Sequence, residues 1–451
     1  MKQNKQELLL NEPNLYKSFT ILATPVFLSN FLKSFHDVVD TFFIGQIPNS
    51  VAAQAAISIS WPLLAIFTSL SIGFSVAGVS IISQNLGADK NEDAKKYSGL
   101  LFTMALMLGA IINVFLYASA PFVMKMMGAE GDVLACAITY IRVRSFEMLF
   151  LMIFTAYQSM RQASGDMSSP VYLSSMAVIL NIFLTWLMVN VLNMGIFGAA
   201  FSTLISQIII TPFALYLSFH PNCSLYVSLS DLKIDIPKIK LLFNVAMPAA
   251  LGQAISSLGF LVLNALILDY GPVVVAAFSN GNKISNMLLM PVGALGTVQA
   301  AYIGQNIGAN NKERAMAAYK TGRNLGLIIS VIGCLILYPF REASAALLSN
   351  SGEVIAVTVE YMIWVILLQP LMAMFQNYMG TFNGAGMTKY TMIFSLARLW
   401  LLRLPLILFF KNFTDFGRSG IWYSMVLSNL IILILGHYFL KKMTFSKLAD
   451  K

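Results

Sequence analysis

QNLGADKNEDA, residues 84–94, returns as QNIGANNKERA at residues 305–315. Gln, Asn, Gly, Ala, Glu and a second Ala keep their places, all 221 positions apart. Gly165 pairs with Gly386 at the same offset, and Gly195-x-x-Gly198-x-x-x-Ser202 pairs with Gly417-x-x-Gly420-x-x-x-Ser424 at 222. Landmarks that stay in register over more than a hundred residues mark an internal duplication.

The duplicated unit belongs in a membrane. Of 451 residues, 57% are hydrophobic and only 11% charged, with a mean hydropathy of +0.73; a soluble domain carries about 25% charged residues. Apolar runs of about 20 residues predict about twelve spans. They lie near 17–45, 52–82, 99–120, 134–157, 171–192, 197–219, 241–269, 273–303, 321–340, 355–380, 390–410 and 419–440. The polar stretch 220–240 then joins two halves, 1–219 and 241–451, of six spans each. An even number of spans gives both halves the same orientation, as parallel repeats about an axis along the membrane normal. The expected fold is an all-α polytopic membrane protein with about twelve transmembrane helices in two pseudo-symmetric six-helix lobes. Repeated bundles that face one another make a cavity at their interface, which is transporter architecture.

Lys and Arg set the orientation. Eighteen fall on one side of the predicted spans, against only Lys125, Arg341, Lys411 and Arg418 on the other. Both termini are therefore expected in the cytoplasm, in a multi-pass protein of the cell membrane (inner or plasma). The first fifteen residues, MKQNKQELLLNEPNL, are polar and lack a signal-peptide core. The net charge of +9 follows from this asymmetry, so a nucleic-acid partner is not expected. Cys136, Cys223 and Cys334 are scattered, which argues against a disulfide framework or structural zinc. The three histidines, His36, His220 and His437, are far apart, and no HExxH is present. Neither an enzyme nor a metal or cofactor site is expected.

The charges inside the spans are the candidates for function. KSFHDVVDTF, residues 33–42, places Lys33, His36, Asp37 and Asp40 at i, i+3, i+4 and i+7, on one helix face opposite Phe35, Val38, Val39 and Phe42. Each such group costs at least a few kcal/mol in a bilayer. One reading is ion coupling, in which a carboxyl group trades its proton as a cavity hydrates and dehydrates, with His36 titrating near neutrality. The other is a structural network in which Lys33 and His36 neutralise Asp37 and Asp40. Lys283 in the eighth span and Arg398 and Arg403 in the eleventh also have two open readings: a salt bridge, or contact with an anionic substrate group. Arg144 and Glu147, at i, i+3, read as an ordinary ion pair near the outer interface. The charged stretches NEDAKKY and NKERAMAAY read as amphipathic connectors.

Several pieces, taken in order, resemble the multidrug and toxic compound extrusion (MATE) family across essentially the whole chain. They are Val39-Asp40-Thr41-Phe42-Phe43-Ile44-Gly45, the paired QN[LI]GA turns, Arg161…Gly165-Asp166, Leu180-Asn181-Ile182, and Gly198-Ala199-Ala200 with Thr203. Asn383-Gly384-Ala385-Gly386-Met387-Thr388-Lys389 and Arg403-Leu404-Pro405 complete the set. The resemblance implies twelve helices in two lobes and cation-coupled export of amphipathic, often cationic compounds by alternating access. Its implied partners are small-molecule substrates and the lipid bilayer, and the chain is expected to act as a monomer, with no cofactor beyond its coupling ion. Asp40 stands where the family carries a span-one aspartate that in several branches binds a proton or sodium.

The family's first-lobe site adds an asparagine and an aspartate four residues apart, plus a threonine from the next span. Here Asn181 and Thr203 match, but Thr185 takes the aspartate's place. A hard cation needs several oxygen ligands, so losing a carboxylate favours protons, with sodium second and Asp37 a candidate for the missing charge. The second lobe lacks the family's acids, showing Gln253, Ser256, Ser257 and Asn264 in span seven and Gln369, Gln376 and Asn377 in span ten. Coupling is thus expected in the first lobe, through Asp40, Asp37, Asn181, Thr185 and Thr203. His36, Lys33, Gln253, Asn264, Lys283, Gln376 and Arg398 are the candidate cavity groups. A lipid-linked oligosaccharide or lipid flippase of the same superfamily is the alternative; the span count and the paired glycine turns favour the exporter.

Overall fold

The computed structural model describes residues 5–47, 50–221 and 225–442, without the side chains at 5, 6, 37, 38 and 41. The side chain of Asp37, with Cys223, Lys2, Lys447 and Lys451, lies outside the described residues. A short helix, Lys5–Leu10, precedes twelve long ones. The first six are α1 Leu15–Ile44, α2 Ser50–Gly87, α3 Asn91–Met126, α4 Gly131–Ala163, α5 Ser168–Val191 and α6 Gly195–Phe219. The second six are α7 Ile236–Leu268, α8 Pro272–Gly308, α9 Lys312–Ala346, α10 Gly352–Gly384, α11 Thr388–Phe413 and α12 Ser419–Lys442. Ten of these are long and apolar enough to cross a membrane. The other two, α1 and α4, are those with clustered charge: Lys33, His36 and Asp40 on one, Arg142, Arg144 and Glu147 on the other.

The helices overrun the apolar runs. NEDAKKY and NKERAMAAY are not separate connectors but the first turns of α3 and α9. Hydropathy marks only the segment inside the bilayer, whereas the i→i−4 ladder continues into water wherever no residue breaks it. Asn311 caps α9 by accepting the Arg314 N–H at 3.0 Å. Two helices carry π-helical stretches, Trp186–Val191 in α5 and Ala397–Arg403 in α11.

The sequence repeat becomes a physical contact between the halves. The C-terminal ends of α2 and α8 cross so closely that a Cβ on Gly87 would stand 1.9 Å from the Gln305 carbonyl oxygen. The reciprocal holds, since a Cβ on Gly308 would stand 2.1 Å from the Gln84 carbonyl oxygen. Only glycine permits such backbone approach. The glutamines complete the crossing: Gln84 donates to the Gly384 carbonyl at 3.1 Å and Gln305 to the Ala163 carbonyl at 2.7 Å. Ala163 and Gly384 are themselves 221 residues apart, so each half's glutamine grips the equivalent helix end of the other.

Packing follows the same polarity. Near the crossing, buried clusters mix residues of both halves, as Phe74 and Leu101 do with Leu242 and Val245. At the opposite helix ends the clusters stay within one half, Ala56, Leu116 and Met124 in the first and Leu263, Tyr361 and Trp422 in the second. The short N-terminal helix braces the crossing. Leu9 is fully buried, its carbonyl accepts from Asn306 at 3.2 Å and Arg314 at 3.3 Å, and Tyr302 donates to the Leu8 carbonyl at 2.9 Å.

Candidate functional site

Between the halves, above the crossing, lies a cavity of about 650 Å³. Its wall draws on both repeats: His36, Glu147, Asn181 and Thr203 from the first, Thr297 and Gln376 from the second. Lys33 lines it as well.

On the first-half wall the polar residues of α1, α5 and α6 meet. His36 hydrogen-bonds through Nε2 to the Asn181 side-chain oxygen. The same nitrogen lies 3.7 Å from the Asp40 carboxylate, one helical turn further along α1. Thr185 donates toward Asp40 Oδ1 at 3.3 Å, Asn181 Oδ1 at 3.4 Å or Ser202 Oγ at 2.7 Å. A hydroxyl has a single proton, so these are alternatives, and the Thr185 proton direction is free to follow the charge on Asp40. Asn181 donates to Thr203 Oγ1 at 3.2 Å, and Thr203 donates to the Ala199 carbonyl at 3.3 Å. Asn181 and Thr185 are buried, while Asp40 keeps about a fifth of its side-chain surface exposed (22%). The cluster reaches the cavity through His36, Asn181 and Thr203, while Asp40 and Thr185 stand behind them and are not among the lining residues.

Asp40, Asn181, Thr185, Thr203 and His36 are thus brought together, and Lys33 and Gln376 face the same cavity. Gln253 and Asn264 on α7 and Lys283 on α8 are exposed and are not among the residues lining it. Arg398 is buried within the second half, against Phe375 and Met372. Asp269 and Glu360 are occupied elsewhere, by Lys411 and Arg418, each at 2.6 Å.

One pair stands deeper than sequence reasoning put it. Arg144 and Glu147 do form an ion pair, at 2.6 Å, but they line the central cavity, and Glu147 lies within electrostatic reach of His36 and Asp40. The only signal in the sequence was a carboxylate inside a span. Its local partner at i−3 made it look self-sufficient.

Twelve helices in two duplicated bundles, with a polar-walled cavity between them, define a membrane transporter of the repeat-built kind. The MatE family profile matches the chain twice, over residues 25–187 and 248–409, once in each half. The chain belongs to this family, that of the multidrug and toxic compound extrusion transporters. It is 25% identical over 439 residues to the probable multidrug resistance protein YoeA of Bacillus subtilis, covering 95% of this chain and 94% of the relative. It is 27% identical over 443 residues to the FAD transporter of Shewanella oneidensis, covering 94% and 92%. Its fold superposes on a multidrug resistance MATE family transporter in the outward-facing conformation with a TM-score of 0.93, at 21% identity and complete coverage of both chains.

Proposed function

We propose that this chain is a proton-coupled exporter of amphipathic, often cationic organic compounds, working by alternating access of lobes 1–219 and 241–451 about the linker 220–240. The crossing of α2 and α8 is the cytoplasmic gate, closed here, and the cavity faces outward. Both termini are cytoplasmic, as the distribution of Lys and Arg requires.

The observation that carries this reading is the Asp40–His36–Asn181–Thr185 cluster, whose His36 and Asn181 line the interlobe cavity. A carboxylate there attracts an organic cation from the cavity and releases it when a proton takes its place. Protonated, Asp40 can donate to Thr185, whose own proton then turns to Ser202, so the network survives both states. Protons are favoured over sodium for a local reason. The Asn181 oxygen, which a sodium cage would need, already accepts the His36 N–H. With Thr185 in place of a second carboxylate, too few oxygens remain for a hard cation.

The test is efflux of a cationic dye from proteoliposomes under an imposed pH gradient or, separately, an imposed sodium gradient. The pH gradient is expected to drive efflux, and Asp40→Asn to reduce it by at least tenfold while the protein stays folded. Efflux driven by sodium alone would overturn proton coupling. Undiminished efflux in Asp40→Asn would remove Asp40 from the mechanism.

A further inference from the structure

Arg398 and Arg403 were left between two readings, and the structure excludes one of them. Both guanidiniums lie inside the second half, with only 7% and 3% of each residue exposed. They stand five residues apart, which in an α-helix places side chains about 140° from one another. Here the segment Ala397–Arg403 is π-helical, and its wider i→i+5 turn brings them round toward one face. Among the described residues no carboxylate comes within 4 Å of either, and Asp269 and Glu360 of the same half are paired with Lys411 and Arg418.

Their remaining contacts satisfy little. Arg398 lies over the Phe375 ring at 4.3 Å, its Nη1 meets the Met372 sulfur at 3.3 Å, and its Nε has no hydrogen-bond partner. Arg403 donates from Nε to Ser428 Oγ at 3.3 Å. A guanidinium offers five N–H donors, so most of the donors in this pair are unused. Cations buried away from any counter-charge are costly to a fold and mark a place where charge is used.

The duplication sharpens the point. At the 222 offset of the α6/α12 repeat, Arg403 corresponds to Asn181 and Ser428 to Ser206. In the first half Asn181 bonds across to α6, at Thr203; in the second half Arg403 bonds across to α12, at Ser428. The same polar position is thus neutral in the first lobe and cationic in the second, where Arg398 adds a further charge at the position of Met176.

We propose that Arg398 and Arg403 form an anion-binding site in the second lobe, for a carboxylate or phosphate group carried by a substrate or present as a free anion. The planar N–H forks of arginine match both groups, and Phe375 supplies an aromatic surface beside them. The site does not depend on which ion drives export.

Equilibrium binding to the purified full-length chain in detergent tests it without any gradient, so its outcome is independent of the dye-efflux result. Radiolabelled benzoate is the probe, followed by scintillation proximity, with phenyl phosphate, inorganic phosphate and benzylammonium as competitors at constant ionic strength. Saturable benzoate binding is expected, displaced by phenyl phosphate and not by benzylammonium, and weakened at least tenfold by Arg398→Gln or Arg403→Gln. Displacement by inorganic phosphate as effective as by phenyl phosphate assigns the site to a free anion; displacement by phenyl phosphate alone assigns it to a substrate's acidic group. If a glutamine variant fails to fold, Arg398→Lys and Arg403→Lys keep the charge but lose the fork, and a several-fold loss of affinity is then expected. Absence of saturable binding to the unmodified chain overturns the proposal, as does an affinity untouched by these substitutions.

Discussion

Asp40 has a second carboxylate in view. Glu147 reaches the cavity from α4, paired to Arg144 at 2.6 Å and within the field of both His36 and Asp40. Whether the pair only holds the wall or also takes part in transport is decided by removing it in two ways. Glu147→Gln breaks the 2.6 Å ion pair with Arg144 beside the cavity and is expected to cost about 2 kcal/mol, less than a fully buried pair because Arg144 is partly exposed. Replacing both residues, Arg144→Met with Glu147→Leu, exchanges the whole pair for apolar side chains and is expected to restore the melting temperature of the purified protein. Dye efflux is expected to stay low in that double variant; its full recovery would make the pair a purely structural brace. At this scale the legibility of the site was uneven. Asp40, Asn181, Thr185 and Thr203 stand out because each puts a polar group inside an apolar helix at a position that the family resemblance marks. Glu147 has such a partner one turn away, so nothing in the linear pattern asked for a deeper role.

Among the elements, the crossing of α2 and α8 sets two effects against each other. Replacing a helical glycine by alanine ordinarily stabilises a helix by about 1 kcal/mol. At Gly87 the new Cβ would meet the Gln305 carbonyl oxygen at 1.9 Å and its carbon at 2.7 Å. Those are backbone atoms and cannot swing aside, so overpacking of about 1–3 kcal/mol is expected to win. Gly87→Ala should lower the melting temperature of the detergent-purified chain. A rise would mean that helix propensity dominates and that the helices separate easily. The repeated Gln-Asn-x-Gly-Ala turns showed where two helices end, and their glycines read as ordinary helix stops. That these glycines meet the partner half's backbone depends on a contact 218 residues away (Gly87 to Gln305), which no local rule supplies. The π-helical turns were likewise illegible, since their side chains suit an α-helix equally well.

At the scale of the whole molecule the duplication does the most. It predicted two parallel six-helix halves, and it reappears at the proposed gate as two hydrogen bonds that are copies of each other: Gln84 to Gly384 and Gln305 to Ala163. Such a gate stabilises one state of a two-state transporter only to the extent that its bonds are absent from the other. Once the crossing opens, both glutamines meet water and lose nothing by being there. Each bond is worth about 1 kcal/mol net, so Gln84→Ala with Gln305→Ala should disfavour the closed gate by about 2 kcal/mol, roughly thirty-fold in the ratio of states. The readout is a cysteine at Thr297 on the cavity wall, on a background lacking the native cysteines. A membrane-impermeant maleimide is supplied from either face. Labelling from the face opposite the crossing is expected to slow, and labelling from the crossing face to quicken. The single variants carry a further expectation. If the two bonds act independently, each shifts the ratio by about the square root of the double effect, five- to six-fold. If they break as one unit, either single variant reproduces most of the double. Labelling unchanged from both faces would mean that the glutamine bonds do not hold the gate shut.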